Sequence, residues 1–358
     1  MKIGCKKNRI VVLLGAGFPL PWGSMKSGEL KDLVVDELMA SPFSFIARLF
    51  PDSFEDLIAS LYSYATYPMN HFYQALFQIK ATDDVRLEEA VSVYLKCINK
   101  LMDAIHTYEV NCFAQVNERK NQALQELFIH LSSRYRHVSV YTTNYDEMLP
   151  RILDWRDESM SLNNDVFEYS PLAQHQLKHS YSNLHGSIHL KLSQFDGHQY
   201  EVGHSTLISP LSHMHELYGG NPYDFNLFSP IIVGHNKTQL ILSKHFNFFT
   251  TCFANDLSDC DTLLCIGSSF SDLHLDAIIR QYTIKRPVNY RIITLEEEKV
   301  HTSVIERNIS SLIIGYGTRY IPDKREDKLF IRENGRLVYY KRGTDRFLAD
   351  SDFWHEYL

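Results

Sequence analysis

The stretch Ile10-Val11-Val12-Leu13-Leu14-Gly15-Ala16-Gly17-Phe18 constrains this chain more than any other. Its apolar run suits a central parallel strand covered on both faces. The strand stops at a glycine loop. Gly15 and Gly17 accept backbone angles closed to other residues and put no side chain between backbone and ligand. In α/β proteins such an exit binds phosphates with bare backbone N–H groups. The dinucleotide fingerprint wants a third glycine at position 20, where this chain has Leu20. Pro19 and Pro21 keep a helix from starting directly after Gly17 in the usual way. On this fragment alone, a nucleotide loop and an ordinary tight strand exit stand even.

A helix follows from about Ser27, a plausible N-cap, with Leu30, Leu33, Val34 and Leu38 in one stripe. Residues 41 to 135 carry almost no strand signal. Phe43, Phe45, Phe50, Phe54 and Leu57 suggest a short aromatic helical segment. Leu87, Val91, Tyr94, Ile98, Leu101 and Ile105 alternate spacings of four and three, which predicts a long amphipathic helix. Leu124, Leu127, Phe128 and Leu131 predict another. A helical block therefore separates the first two clear strands, either as a packing layer or as a lid or oligomer surface.

The period-2 pattern returns at Val138-Ser139-Val140-Tyr141-Thr142-Thr143 and ends in Asn144-Tyr145-Asp146. Polar residues at the C-terminal end of such a strand face the ligand crevice. Asn and Asp serve equally as turn residues or helix caps. Asn183-Leu184-His185-Gly186-Ser187-Ile188-His189 reads as strand into loop. His185 and His189 have metal-like spacing, but no Glu partner or helix signal accompanies them, so no metal is expected. Phe246, Phe248, Phe249 and Phe253 look like the inner face of a helix. Short extended pieces precede them at 229–233 and 239–242.

A second strong strand, Asp261 to Ile266, repeats the opening design and exits through Gly267-Ser268-Ser269-Phe270-Ser271-Asp272. Ser271 or Asp272 can cap the next helix, with Leu275, Ile278, Ile279 and Tyr282 apolar. Residues 290–295 give another strand, with Glu296 at its end. Near the C-terminus, 329–332 and 336–340 flank Glu333-Asn334-Gly335, an Asn-Gly hairpin signal. The fold class is α/β. The arrangement is a Rossmann-like parallel sheet with a large helical insertion at about 41–135 and a C-terminal β-hairpin extension.

Bulk properties narrow the function classes. A net charge of -7 argues against a dedicated nucleic-acid binder. From Arg319 to Arg346, nine Lys/Arg face five Asp/Glu, a modest basic surface. No apolar stretch approaches the ~20 residues of a membrane span. The basic start, Lys2 to Arg9, mimics a signal peptide, but Gly15 and Gly17 break its apolar run. None of the six cysteines forms a C-x-x-C pair, so reduced thiols in a cytoplasmic protein are expected, with Cys265 buried in a strand.

In order, Gly15-Ala16-Gly17, Thr143-Asn144-Tyr145-Asp146, His185-Gly186 and Gly267-Ser268-Ser269 with Asp272 resemble the sirtuin-type NAD-binding fold. The closer resemblance is to the bacterial sirtuin-like group of anti-phage defence, over roughly residues 9 to 300. The resemblance implies a catalytic domain over 1–300 and an extension over 301–358 that offers a partner or oligomer contact. It implies that Gly15, Ala16 and Gly17 cradle the NAD phosphates, with Phe18 and Thr143 among the cofactor-binding residues. Asn144 and Asp146 would lie beside the nicotinamide ribose, with His185 as the catalytic histidine. Gly267, Ser268 and Asp272 would bind the rest of the cofactor, Gly267 and Ser268 on its adenosine side.

Two departures stand out. The zinc-binding cysteines of protein-deacetylating sirtuins are absent, which counts against an acyl-lysine groove. Pro19 stands where many sirtuins have serine. The implied activity is an NAD+ glycohydrolase that depletes NAD+ in abortive infection. Restraint would come through a homo-oligomer or a partner such as a HerA-type ATPase. The alternatives are an NAD-dependent protein deacylase or ADP-ribosyltransferase, and a non-catalytic NAD or ADP-ribose binding subunit.

Overall fold

The strand that opens the chain sits near the middle of the sheet. In the computed structural model, β1 (Lys7–Leu14) is fully buried from Arg9 onward. It pairs in parallel with β2 (Tyr135–Thr142) on one side and β6 (Thr262–Ile266) on the other. Beyond β2 lies β3 (His179–Asn183). Beyond β6 lie β7 (Asn289–Ile293) and β10 (Leu337–Tyr340), which complete six parallel strands. Two antiparallel strands, β9 (Leu329–Arg332) and β8 (Lys324–Arg325), extend the β10 edge. A separate two-stranded antiparallel sheet joins β4 (Leu190–Phe195) to β5 (Gln199–His204). The structure describes residues 7–49, 54–66, 84–154, 178–195, 199–204, 230–232, 244–270, 272–283, 288–293, 324–325, 329–332 and 337–358. Phe50, Ser271, Glu296 and the Asn334-Gly335 turn, all singled out in the sequence, lie outside these.

Alternation along β1 builds two cores. Ile10, Val12 and Leu14 pack with Leu124, Leu127, Phe128 and Leu131. Val11 and Leu13 point the other way, to Phe246, Phe249 and Phe253 and to Leu275 and Ile279. From Ile10 to Leu14 the strand is thus apolar at every position, because helices cover both faces.

Between β1 and β2 run α1 (Ser27–Met39), α2 (Ser44–Leu49), α3 (Phe54–Thr66), α4 (Asp84–Asn111) and α5 (Glu118–Arg134). The first four share a third core, in which Val91, Tyr94, Ile98, Leu101 and Ile105 of α4 meet Val34, Leu38, Leu57 and Ile58. The side chain of Leu87 lies outside the described set. α5 belongs elsewhere, because its stripe packs on the sheet. After β2 comes the short α6 (Met148–Ile152), and α7 (Lys244–Asp259) and α8 (Leu273–Thr283) flank β6. Arg9 is buried in β1 and would be costly there without partners. Asp256 at 2.9 Å, Asp259 at 3.0 Å and Ser139 Oγ at 2.6 Å receive its guanidinium and pin α7 to the sheet.

The C-terminal stretch is built into this frame. β10 is a parallel strand of the main sheet, and its antiparallel partner β9 matches the expected hairpin arms. α9 (Thr344–Leu348) and α10 (Ser351–Tyr357) then return to the β1 core. Phe347, Phe353, Trp354 and Leu358 join Ile10 and Val12 there. Cys97, Cys112, Cys252, Cys260 and Cys265 are buried thiols. Burial pushes those of Cys97 and Cys112 up to about 12, so both stay neutral and unreactive. No helix among the described residues is long and apolar enough to cross a membrane.

If the C-terminal helices are core elements, Trp354→Ala lowers the unfolding free energy by about 3–5 kcal/mol in urea denaturation. A loss below ~1 kcal/mol, the size of an ordinary surface change, would make them peripheral.

Candidate functional site

From β1 the sheet grows toward β2 and β3 on one side and toward β6, β7 and β10 on the other. Open α/β sheets bind ligands where the strand order reverses, beyond the carboxyl ends. A cavity of about 520 Å³ lies at that point. Gly15, Ala16 and Gly17 line it after β1, Thr143, Asn144 and Tyr145 after β2, and His185 after β3. Gly267, Ser268, Ser269 and Phe270 line it after β6, with Asp272, Leu275 and Asp276 at the start of α8. Four strand exits separated by as many as about 250 residues of chain therefore share one hollow. Leu30, Phe54, Glu55, Ile105 and Tyr108 of the helical block close another side.

The glycine exit works differently from the expected phosphate cradle. The Gly15 N–H donates to Ile266 O at 2.9 Å and the Gly17 N–H to Gly267 O at 3.0 Å. These two donors are spent on the neighbouring exit. A Cβ on Gly15 would lie 2.4 Å from Ser268 Cα. Gly267 has a φ of +66°, and a Cβ there would lie 2.4 Å from the Phe18 nitrogen. Both positions demand glycine because one backbone packs on another. Phe18 does not line the cavity; its ring is buried in the core, 5.4 Å from that of Trp22.

Pro19 and Pro21 direct the chain through a 3-10 turn over Leu20–Trp22. Trp22 Nε1 donates to Asn121 Oδ1 at 2.7 Å, and the Lys120 ammonium donates to Pro21 O. The next residues, Ser24 to Ser27, reach the cavity wall. This brings the N-terminus of α1 to the cavity. Its Lys26 takes the N-cap position, and the Lys26 N–H donates to the Glu29 carboxylate at 2.6 Å. The positive helix end and the Lys26 ammonium make this the anion-favouring side. Sequence reasoning saw the helix but missed that its start faces the cavity. The early helix after a glycine exit was the available signal.

Asn144 is held from three directions. Its N–H donates to Thr142 Oγ1 at 3.0 Å, its Nδ2 to Gly15 O at 3.1 Å, and its C=O accepts from Asn183 Nδ2 at 3.1 Å. Oδ1 is therefore the side-chain atom to offer a ligand. His185 is buried, and Ile232 N–H donates to its C=O at 2.8 Å. Its Nε2 lies 3.4 Å from His274 Nε2 and 4.0 Å from Asp272 Oδ2. His274 carries no motif, and sequence reasoning passed over it. One turn along α8, burial and the Asp272 charge push the Asp276 carboxyl up to about 7.

Asp146 lies behind the wall, away from the cavity lining. It accepts from the Tyr108 hydroxyl and, at 3.0 Å, from the N–H of Met148, the first residue of α6. Burial pushes its carboxyl up to about 6, and the Tyr108 and Met148 hydrogen bonds oppose the rise. It positions the loop that carries Asn144 and is out of reach of a ligand.

Beside it runs a buried charged network that sequence reasoning did not find. Glu109, fully buried near the end of α4, accepts from the Glu147 N–H at 2.7 Å. Both of its oxygens lie within 3.1 Å of His189 Nε2, and Arg151 Nη2 approaches at 3.3 Å. Arg151 Nη2 is also 3.1 Å from that imidazole nitrogen. An ionised carboxylate only accepts, so the Nε2 proton goes to Glu109, and Arg151 adds its charge to the same carboxylate. Burial alone would raise Glu109, but His189, Arg151 and the Glu147 N–H hold it below the usual carboxylate range. Burial alone would lower His189, but the bond to Glu109 and the nearby carboxylates raise it.

No protein-family model matches the chain, and a search of curated proteins finds no match. The site is read from its own geometry.

The Glu109–His189 pair sets a pH window. A raised imidazole contributes stability that is complete below the ordinary value of ~6.5 and lost as pH rises through the folded-state value. A lowered carboxylate contributes above ~4.3 and loses that as pH falls. Removing one partner of a buried pair costs about 3–5 kcal/mol. His189→Gln is expected to lower the melting temperature most near pH 6 and least above the raised imidazole value. Thermal melts at pH 6 and pH 9 check this, and equal losses at both would refute a charged pair.

Proposed function

We propose that the chain is a sirtuin-like NAD+ glycohydrolase that cleaves NAD+ to nicotinamide and ADP-ribose. The observation that supports it best is that Asn144 and His185 open into the cavity at the strand-order reversal, together with an anion-favouring helix start. A volume of about 520 Å³ falls within the range of small-molecule sites.

The chemistry matches what these residues can do. The nicotinamide of NAD+ is already cationic and departs neutral, so no general acid is needed. Glycoside cleavage with a carboxylate pair differs in this respect. The site must hold the ribose, stabilise a developing oxocarbenium ion and deliver a water. Asn144 Oδ1 is fixed by the Nδ2 bond to Gly15 O and can accept from a ribose hydroxyl or from that water. His185 Nε2 can take the water's proton, since imidazole titrates near neutrality. The start of α1 with Lys26 suits the pyrophosphate. Asp272, beyond the β6 exit, suits hydroxyls of the cofactor. Tyr108 and Ile105 supply an apolar wall that limits water.

Unchecked NAD+ cleavage would kill the host cell. The reading therefore includes a role in anti-phage abortive infection and restraint by self-assembly or an ATPase partner.

Purified protein incubated with NAD+, with nicotinamide followed by chromatography, tests the reading. Release without any protein acceptor is expected. Asn144→Ala and His185→Ala should each slow it about 100-fold or more, the size of a lost general base or positioned water. Cleavage left intact in both variants would remove the assignment. Nicotinamide release only in the presence of an acylated peptide would replace it with a deacylase.

A further inference from the structure

We propose that His185, Asp272 and His274 form a divalent transition-metal site of the zinc class beside the cavity. Filling it would switch off the chemistry assigned to His185. The second half rests on the NAD+ glycohydrolase reading; the first does not.

The geometry carries the site. The candidate ligand atoms of the three residues all lie within 4.8 Å of one another. The two imidazole Nε2 atoms are 3.4 Å apart. Two Zn–N bonds of ~2.05 Å meeting at a tetrahedral angle put their nitrogens ~3.4 Å apart. That separation is long for a hydrogen bond, which runs ~2.7–3.2 Å for nitrogen donors. Two protonated imidazoles would repel at this distance, whereas a metal uses both lone pairs.

Asp272 Oδ2, 4.0 Å from His185 Nε2, must close on that nitrogen by about 0.6 Å to share an ion with it. Its side chain is 24% exposed, just ahead of α8. His185 comes from the far side, where the Ile232 N–H bond to its C=O holds the loop after β3. Two elements thus supply the ligands, and a rigid imidazole anchors the site. Three protein ligands leave a tetrahedral ion one open position, facing the cavity or water.

The nitrogen assigned to take a proton from water is the nitrogen that would bind the metal. One lone pair cannot do both. Metal occupancy therefore removes the general base on which the proposed cleavage depends, and zinc acts as an inhibitor of that route.

Cobalt titration tests the site without reference to activity. Purified metal-free protein is titrated with Co²⁺ and read by its visible ligand-field absorption, for wild type, His274→Gln and Asp272→Asn. Circular dichroism verifies that each variant is folded. One saturable equivalent is expected in wild type, with affinity at least ~10-fold weaker in each variant. Absence of a saturable band, or equal bands in all three, would reduce the cluster to a hydrogen-bonded imidazole pair only.

Nicotinamide release is then measured against Zn²⁺ for wild type and His274→Gln, each rate divided by that protein's own metal-free rate. Inhibition of wild type, with at least ~10-fold more Zn²⁺ needed for the variant, supports the inhibitory role. Equal sensitivity overturns it. If metal-free protein cleaves no NAD+, the functional reading fails and takes the inhibitory role with it. The cobalt result would still decide the site.

Discussion

The architecture depends on one steric constraint, the direct backbone contact between the exits of β1 and β6. Neither Gly15 nor Gly267 has room for a methyl group, and the Gly17 N–H bond to Gly267 O draws the two exits together. Several consequences follow in sequence. Phe18 is turned inward to the core. The chain must then leave the sheet through the proline-bearing turn at Leu20–Trp22, so α1 begins beside the cavity. Gly15 O stays available on the other side, where it fixes the Asn144 amide at 3.1 Å. Side chains at the two glycines would force the strands apart and displace both features.

This contact explains what was legible in the sequence and what was not. The β1 and β6 strands stood out because burial on both faces makes Ile10–Leu14 and Leu263–Ile266 unbroken apolar runs. The glycines stood out as well, but their role did not. Their partners lie some 250 residues away in sequence, and nothing local distinguishes a glycine that meets a phosphate from one that meets another backbone. The stripes of α4, α5, α7 and α8 were readable because each recurs at helical spacing on a face buried in one of the three cores. β3 was mostly hidden. Its sequence His179-Ser180-Tyr181-Ser182-Asn183 is polar although Ser180 and Ser182 are buried, so it lacks the usual apolar signature.

The site residues divide in the same way. Asn144 and His185 were recognisable because strand exits of open sheets are a short list of places. Asp146, two residues further on, shared the same pattern yet points behind the wall. Whether a carboxylate at a strand end meets ligand or braces a loop is decided by what lies beneath it, here the Tyr108 hydroxyl. Nothing in the sequence singles out Glu109, and His189 stood out only by its spacing from His185. They are a buried pair because α4 and the loop after β3 happen to converge, which no periodicity encodes. His274 needed the same convergence to be noticed.

These buried bonds also decide between the two roles open to the helical block. A lid must part from the site at modest cost. α4 instead reaches the loop after β2 through two bonds, Tyr108 to Asp146 and Glu109 to the Glu147 N–H, and the loop after β3 through His189. Its apolar core also includes Ile188 and Ile231, which flank the His185 loop. Separating the block would strand a buried carboxylate and an imidazolium without partners, at a cost comparable to much of a domain's stability. The block is a fixed wall. The sheet exits supply the polar atoms that can do chemistry, and the helices supply the dry surface on which such atoms are effective. Any motion that admits a ligand must then come from the other side of the cavity, where Lys26 is exposed and Asp272 and Asp276 are only partly buried.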